Sequence, residues 1–95
     1  MIDELVEPEV IDEVSTINIT TFSSKVVLYN DEWHTFDEVI SQIIKATGKS
    51  YKLAEQLTLQ VHNDGKAIVY EGDMNACLKV SSILEEISLH TQIEY

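Results

Sequence analysis

The sequence predicts a small α+β domain, one sheet covered on a single face by three helices, in the order βααβαβ. Three observations predict it. Residues 25–29, KVVLY, form a short β-branched apolar run of strand length. Two segments of helical period follow, each opened by a capping residue and closed near a glycine, before a second β-rich run, KAIVYE, at 66–71. A third helical segment and a final run, HTQIEY, complete the chain, and a small sheet backed by helices is the economical way to bury these apolar faces.

Ninety-five residues hold one core, and 44% hydrophobic residues with a single Pro and three Gly supply the material for it. Residues 1–24 read as an acidic, flexible extension: Asp3, Glu4, Glu7, Glu9, Asp12 and Glu13 meet no basic residue within the first 14 positions. Its later part, STINITTFSS at 15–24, is consistent with an edge strand or an ordered linker. The folded domain is expected over residues 25–95, its first strand ending at the turn formers Asn30 and Asp31.

Thr35 and Glu38 have the spacing of a capping box, in which each side chain satisfies the other's backbone N–H. Phe36, Val39, Ile40, Ile43 and Ile44 then fall at helical spacing up to Gly48. Ser50 is the expected cap of a second helix that buries Leu53, Leu57 and Val61 and ends at Asn63-Asp64-Gly65, placing His62 on its last turn. Asp73 is the expected cap of a third, with Cys77, Leu78, Ile83, Leu84 and Ile87 on its apolar face.

Seventeen acidic residues against six Lys and no Arg give a formal net charge of −11. Such a surface repels phosphate backbones and lacks the residue best suited to reading bases, so nucleic acid is not an expected partner. The lone Cys77 has no partner for an intramolecular disulfide, and no signal segment or long apolar run stands out. The expectation is a cytoplasmic protein with no membrane association.

No nucleophile elbow, phosphate-cradling glycine loop or metal-ligand spacing is present, and His34, His62 and His90 are scattered. Asp31 with His62 imitates part of a base dyad, but neither a nucleophile nor oxyanion donors can be named to complete it. Neither an enzyme nor a cofactor is expected. Two readings of Asn30, Asp31 and His62 remain. An amide oxygen, a carboxylate and a neutral imidazole nitrogen can together accept the three N–H bonds of a primary ammonium group, such as a peptide N-terminus, whose pKa is about 8. Equally, Asn and Asp are ordinary turn formers, a His near a helix C-terminus complements the dipole, and Trp33 and Phe36 suit a core.

VVLYNDEWHTFDEV and, farther on, LTLQVHNDGKAIV resemble the ClpS family of adaptors for the Clp protease over residues 25–95. The resemblance implies three helices packed on a three-stranded antiparallel sheet, a monomer, and recognition of substrate proteins with bulky hydrophobic N-terminal residues for delivery to a Clp AAA+ unfoldase. It implies that Asn30, Asp31 and His62 hold the substrate's α-amino group, and that Phe36, Thr58, Val61 and Ile40 wall a hydrophobic pocket. Phe36 stands where the family has a gating Met and Thr58 where a Met often lines the pocket, while His34-Thr35 replaces the usual Thr-Pro. Lys79 matches a family Lys on the face that docks the N-terminal domain of the unfoldase, if one deletion is placed near Gly72; a solvated helix lysine is the alternative. The altered pocket also admits a second function, a ClpS-like regulator that docks the unfoldase and modulates substrate choice without reading N-termini.

Overall fold

The computed structural model describes residues 23–95, so the expected acidic extension lies outside the described residues except for its last two positions. Ser24 already belongs to the first strand, β1 (Ser24–Tyr29), one residue before the expected start. The chain continues through α1 (Phe36–Thr47), α2 (Tyr51–Asp64), β2 (Lys66–Gly72), α3 (Met74–Leu84), a 3₁₀ turn (Glu85–Ile87) and β3 (Thr91–Glu94). This is the βααβαβ order expected from the sequence, and the sheet is antiparallel throughout with β1 central, in the order β2-β1-β3.

Each helix starts where a short polar side chain accepts a backbone N–H. Thr35 accepts from Glu38 N–H while the Glu38 carboxylate accepts from Thr35 N–H, completing the capping box. Ser50 and Asp73 cap the other two in the same manner, accepting from Leu53 and Ala76. Gly48 and Gly65 close α1 and α2 with φ of 73° and 87°, a left-handed backbone that side chains with a Cβ rarely adopt.

The core lies between the helices and one face of the sheet. Val26 and Leu28 of β1 and Ala67 and Val69 of β2 meet Ile40, Ile43, Ala54, Val61, Cys77, Val80 and Leu84 from the helices. α1 packs on both other helices, α2 covers β2, and α3 contacts all three strands. A bulge between Val26 and Val27 shifts the β1–β2 register, so that Val26 pairs Tyr70 and Val27 pairs Ile68.

Two helical stripes differ from expectation. In α2 the buried positions are Ala54, Thr58 and Val61, whereas Leu53 is 48% exposed. Helical spacing marked Leu53 in the sequence, but the face of α2 turned to α1 and β2 is the one that carries Ala54, Thr58 and Val61. In α3, Leu78 is 53% exposed while Val80 and Ser81 are buried. That helix ends at Leu84, and Ile87 sits instead in the 3₁₀ turn, which Ser88 closes with a left-handed φ of 66°.

Candidate functional site

The end of β1 is held from both sides. Tyr29 N–H donates to the His90 carbonyl at 3.0 Å, and Asn30 N–H donates to the Gly65 carbonyl at 2.9 Å. These two bonds bring the turn after β1, the last turn of α2 and the approach to β3 to one place. Between them lies a pocket lined by Leu28, Asn30, Asp31, His34, Phe36, Val39, Thr58, Val61, His62 and Leu89, with Tyr29 and Thr35 at its edge.

Of the residues singled out in the sequence, the structure gathers Asn30, Asp31, His62, Phe36, Thr58 and Val61 around this pocket. Ile40 does not line it. That side chain is 3% exposed within the core, and Val39, three residues from Phe36 on α1, takes the pocket-facing position instead. Lys79 is exposed on α3, away from the pocket lining.

Asp31 shapes the loop that carries it. Its Oδ1 accepts the backbone N–H groups of Trp33 and His34 at 3.0 and 2.9 Å, and Oδ2 lies 2.6 Å from His34 Nδ1. Burial pushes its carboxyl pKa up, but the backbone bond from His34, the ring bond from the same residue and the bond from Trp33 outweigh it, leaving the group below its ordinary value. A carboxylate offers about four lone-pair sites, so roughly one remains for a ligand.

On the opposite side, His62 projects from the last turn of α2, and the Phe36 ring stands edge-on to it with centroids 5.3 Å apart. The Thr58 hydroxyl donates to the Ala54 carbonyl at 2.8 Å, so its proton is used within α2. With Phe36 in this position the cavity volume is about 40 Å³. That is well short of the roughly 150 Å³ that accommodates a benzene ring.

His34 was not singled out from the sequence. Its side chain is only 3% exposed, bonded to Asp31 through Nδ1 and lying 2.6 Å from the Ile87 carbonyl through Nε2, with Trp33 stacked at 3.8 Å. The Asp-x-x-His spacing was visible, but its partner 53 residues away was not. Leu89 was missed because the segment entering β3 carries no local motif.

This geometry places a carboxylate, an amide and an imidazole in the lining of one pocket beside apolar side chains, a set that offers three acceptors to a primary ammonium group next to a hydrophobic side chain. Among the described residues no group of three or more His, Cys, Asp or Glu is placed to hold a metal, and no helix is long and apolar enough to cross a membrane. The family model described as ATP-dependent Clp protease adaptor protein ClpS matches residues 21–92. The chain belongs to the ClpS family. Members of that family are protease adaptors rather than enzymes.

The ClpS adapter of the cyanobacterium Nostoc sp. is 40% identical over 58 residues, covering 60% of this chain and 60% of that protein. The E3 ubiquitin-protein ligase UBR1 of Drosophila melanogaster is 36% identical over 59 residues, 62% of this chain but 3% of the ligase. This ClpS-family chain thus spans about three fifths of the cyanobacterial relative and a small fraction of the ligase. The structure of Agrobacterium tumefaciens ClpS2 bound to L-phenylalaninamide superposes with a TM-score of 0.71 at 17% identity, over 76% of this chain and 94% of that one. At that identity the superposition establishes the shared fold.

Proposed function

We propose that this chain is a protease adaptor that binds the N-terminal residue of substrate proteins and delivers them to a Clp unfoldase-protease. The carrying observation is the convergence of Asn30, Asp31 and His62 on the rim of a pocket walled by Phe36, Val39, Thr58, Val61 and Leu89. The α-ammonium group is bound at the rim, where Asp31 supplies charge and Asn30 and His62 supply neutral acceptors. The first side chain enters the apolar part. Family membership supports this reading, as does a ligand of the required form, an amine next to an aromatic ring, in the ClpS2 structure. Lys79 on the exposed face of α3 is the proposed contact to the N-terminal domain of the unfoldase.

The narrow cavity favours one alternative: a ClpS-like regulator that docks the unfoldase without reading N-termini. Fluorescence anisotropy with labelled peptides differing only in an N-terminal Phe, Leu, Trp, Ile, Arg or Ala, plus N-acetylated Phe, separates the two. The adaptor binds free bulky termini and ignores the acetylated control. Absence of binding to every peptide, with retained binding to the unfoldase N-terminal domain, selects the regulator.

A further inference from the structure

His34 lines the site, yet the proposed function assigns it nothing. Both of its polar neighbours are acceptors: the Asp31 carboxylate at 2.6 Å from Nδ1 and the Ile87 backbone carbonyl at 2.6 Å from Nε2. A neutral imidazole carries one N–H, so whichever tautomer formed would set a bare ring nitrogen against an oxygen lone pair at that distance. Only the imidazolium satisfies both contacts, and with the side chain 3% exposed no water replaces either partner easily.

The charged groups that bear on the ring agree with this. Asp31 lies in the loop and Glu38 in the first turn of α1, both negative. The acidic side chains of the 3₁₀ turn are engaged elsewhere, Glu85 with Thr91 and Glu86 with Lys45. Burial lowers the pKa of His34, but the bonds to Asp31 and Ile87 and the field of the two carboxylates raise it above the ordinary value.

We propose that His34 is a positioning residue of the amine-binding site: its imidazolium ties Asp31 to the turn ahead of β3, fixing the carboxylate and the Leu89 wall of the pocket together. The inference rests on the reading of Asn30, Asp31 and His62 as that site. Leu89 follows Ile87 by two residues, with the left-handed Ser88 between them, so the seat of Ile87 sets the path of the chain into the pocket wall. Loss of the ring proton keeps the Nδ1 bond to Asp31 and breaks the Ile87 contact, loosening that wall.

Nitrogen-15 spectra of the imidazoles, combined with peptide binding across pH, test this on the full chain. His34 should show both ring nitrogens protonated at pH 6, with a midpoint above that of a solvated histidine, and Asp31→Asn should lower that midpoint. For a Phe-initiated peptide, wild type should bind roughly tenfold tighter than His34→Gln at pH 6, the scale of one charge-assisted contact. That ratio should shrink as pH passes through the His34 midpoint, whereas pH effects on the peptide amine and on groups common to both proteins cancel. A bare ring nitrogen at pH 6, or a ratio constant through the titration, overturns the proposal. If wild type binds no free-terminus peptide, the amine-site reading fails and the positioning role falls with it; an imidazolium in the spectra then distinguishes that case from failure of the clamp.

Discussion

Phe36 at the start of α1 and His62 at the end of α2 meet edge to face, their ring centroids 5.3 Å apart and their planes 70° from parallel. The contact joins two pocket-lining residues from two different helices. The cavity is about 40 Å³, and in the proposed adaptor a bulky side chain enters when the Phe36 ring turns away. Because Phe36 is 39% exposed, that movement uncovers little additional apolar surface. Phe36→Ala should therefore cost only about 1 kcal/mol of stability, the scale of an aromatic pair plus partial burial. The same variant should bind Trp-initiated peptides more tightly relative to Leu-initiated ones. Urea unfolding and the anisotropy panel check the two halves separately, and an unaltered Trp-to-Leu preference would remove Phe36 from the specificity argument.

Asp31 does two jobs with one carboxylate. It accepts two backbone N–H groups that shape the loop and, in the proposed adaptor, carries the charge for the substrate amine. Asp31→Ala should weaken binding of a free-terminus peptide by more than the ~1 kcal/mol of a neutral hydrogen bond, since a charge-assisted contact is lost. Binding of an acetylated peptide, weak to begin with, should not change. Circular dichroism establishes whether the variant is folded, and an unchanged dissociation constant in a folded protein would refute the role.

The sequence made the local parts of this architecture visible. The Thr35–Glu38 box, the Ser50 and Asp73 caps and the glycines at 48 and 65 are determined by residues within four positions, so reading along the chain finds them. Facing is less local. Leu53 and Leu78 were expected inside from apolar character at helical spacing, yet Ala54, Thr58, Val80 and Ser81 are the buried positions. The site divides in the same way. Asn30, Asp31 and His62 stand at ends of elements, where polar side chains are conspicuous. The pairing of His34 with a carbonyl 53 residues away depends on the closed fold and leaves no spacing signal.

Stability should depend on pH through the Asp31–His34 pair, with a direction fixed by the two shifts. His34 is raised in the folded state, so its contribution is complete below the unfolded value of about 6.5 and is lost as pH rises through the folded value. Asp31 is lowered, so its contribution is complete above about 3.9 and is lost as pH falls through its folded value. The pair stabilises most between about pH 4 and 6.5. His34→Gln should flatten the alkaline decline of the urea unfolding free energy, by roughly 1.5–3 kcal/mol for a bond to a charged group. A free energy declining equally in wild type and variant would assign the decline to other groups.

Gln42 ties α1 to the last turn of α3 and Lys45 ties it to the 3₁₀ turn that follows, and their energetic weights should differ sharply. Gln42 Nε2 donates to the Ile83 carbonyl at 2.6 Å from a residue 8% exposed, whereas Lys45 meets Glu86 at 2.8 Å with side chains 61% and 49% exposed. Removing the buried amide takes one of two donors from the Ile83 carbonyl, which keeps the Glu85 N–H, and vacates a buried site, at a cost of about 1–3 kcal/mol, while an exposed ion pair contributes roughly 0–1 kcal/mol. For a folded unit of this size 1 kcal/mol moves Tm by about 4–8 °C. Gln42→Ala should accordingly lower Tm by at least about 4 °C and Lys45→Ala by less than that. The contrast should widen in high salt, which screens the exposed pair and leaves the buried bond untouched. Equal losses in the two variants would mean that the Ile83 carbonyl finds water once Gln42 is gone, and that the seam between α1 and α3 is wetter than its packing suggests.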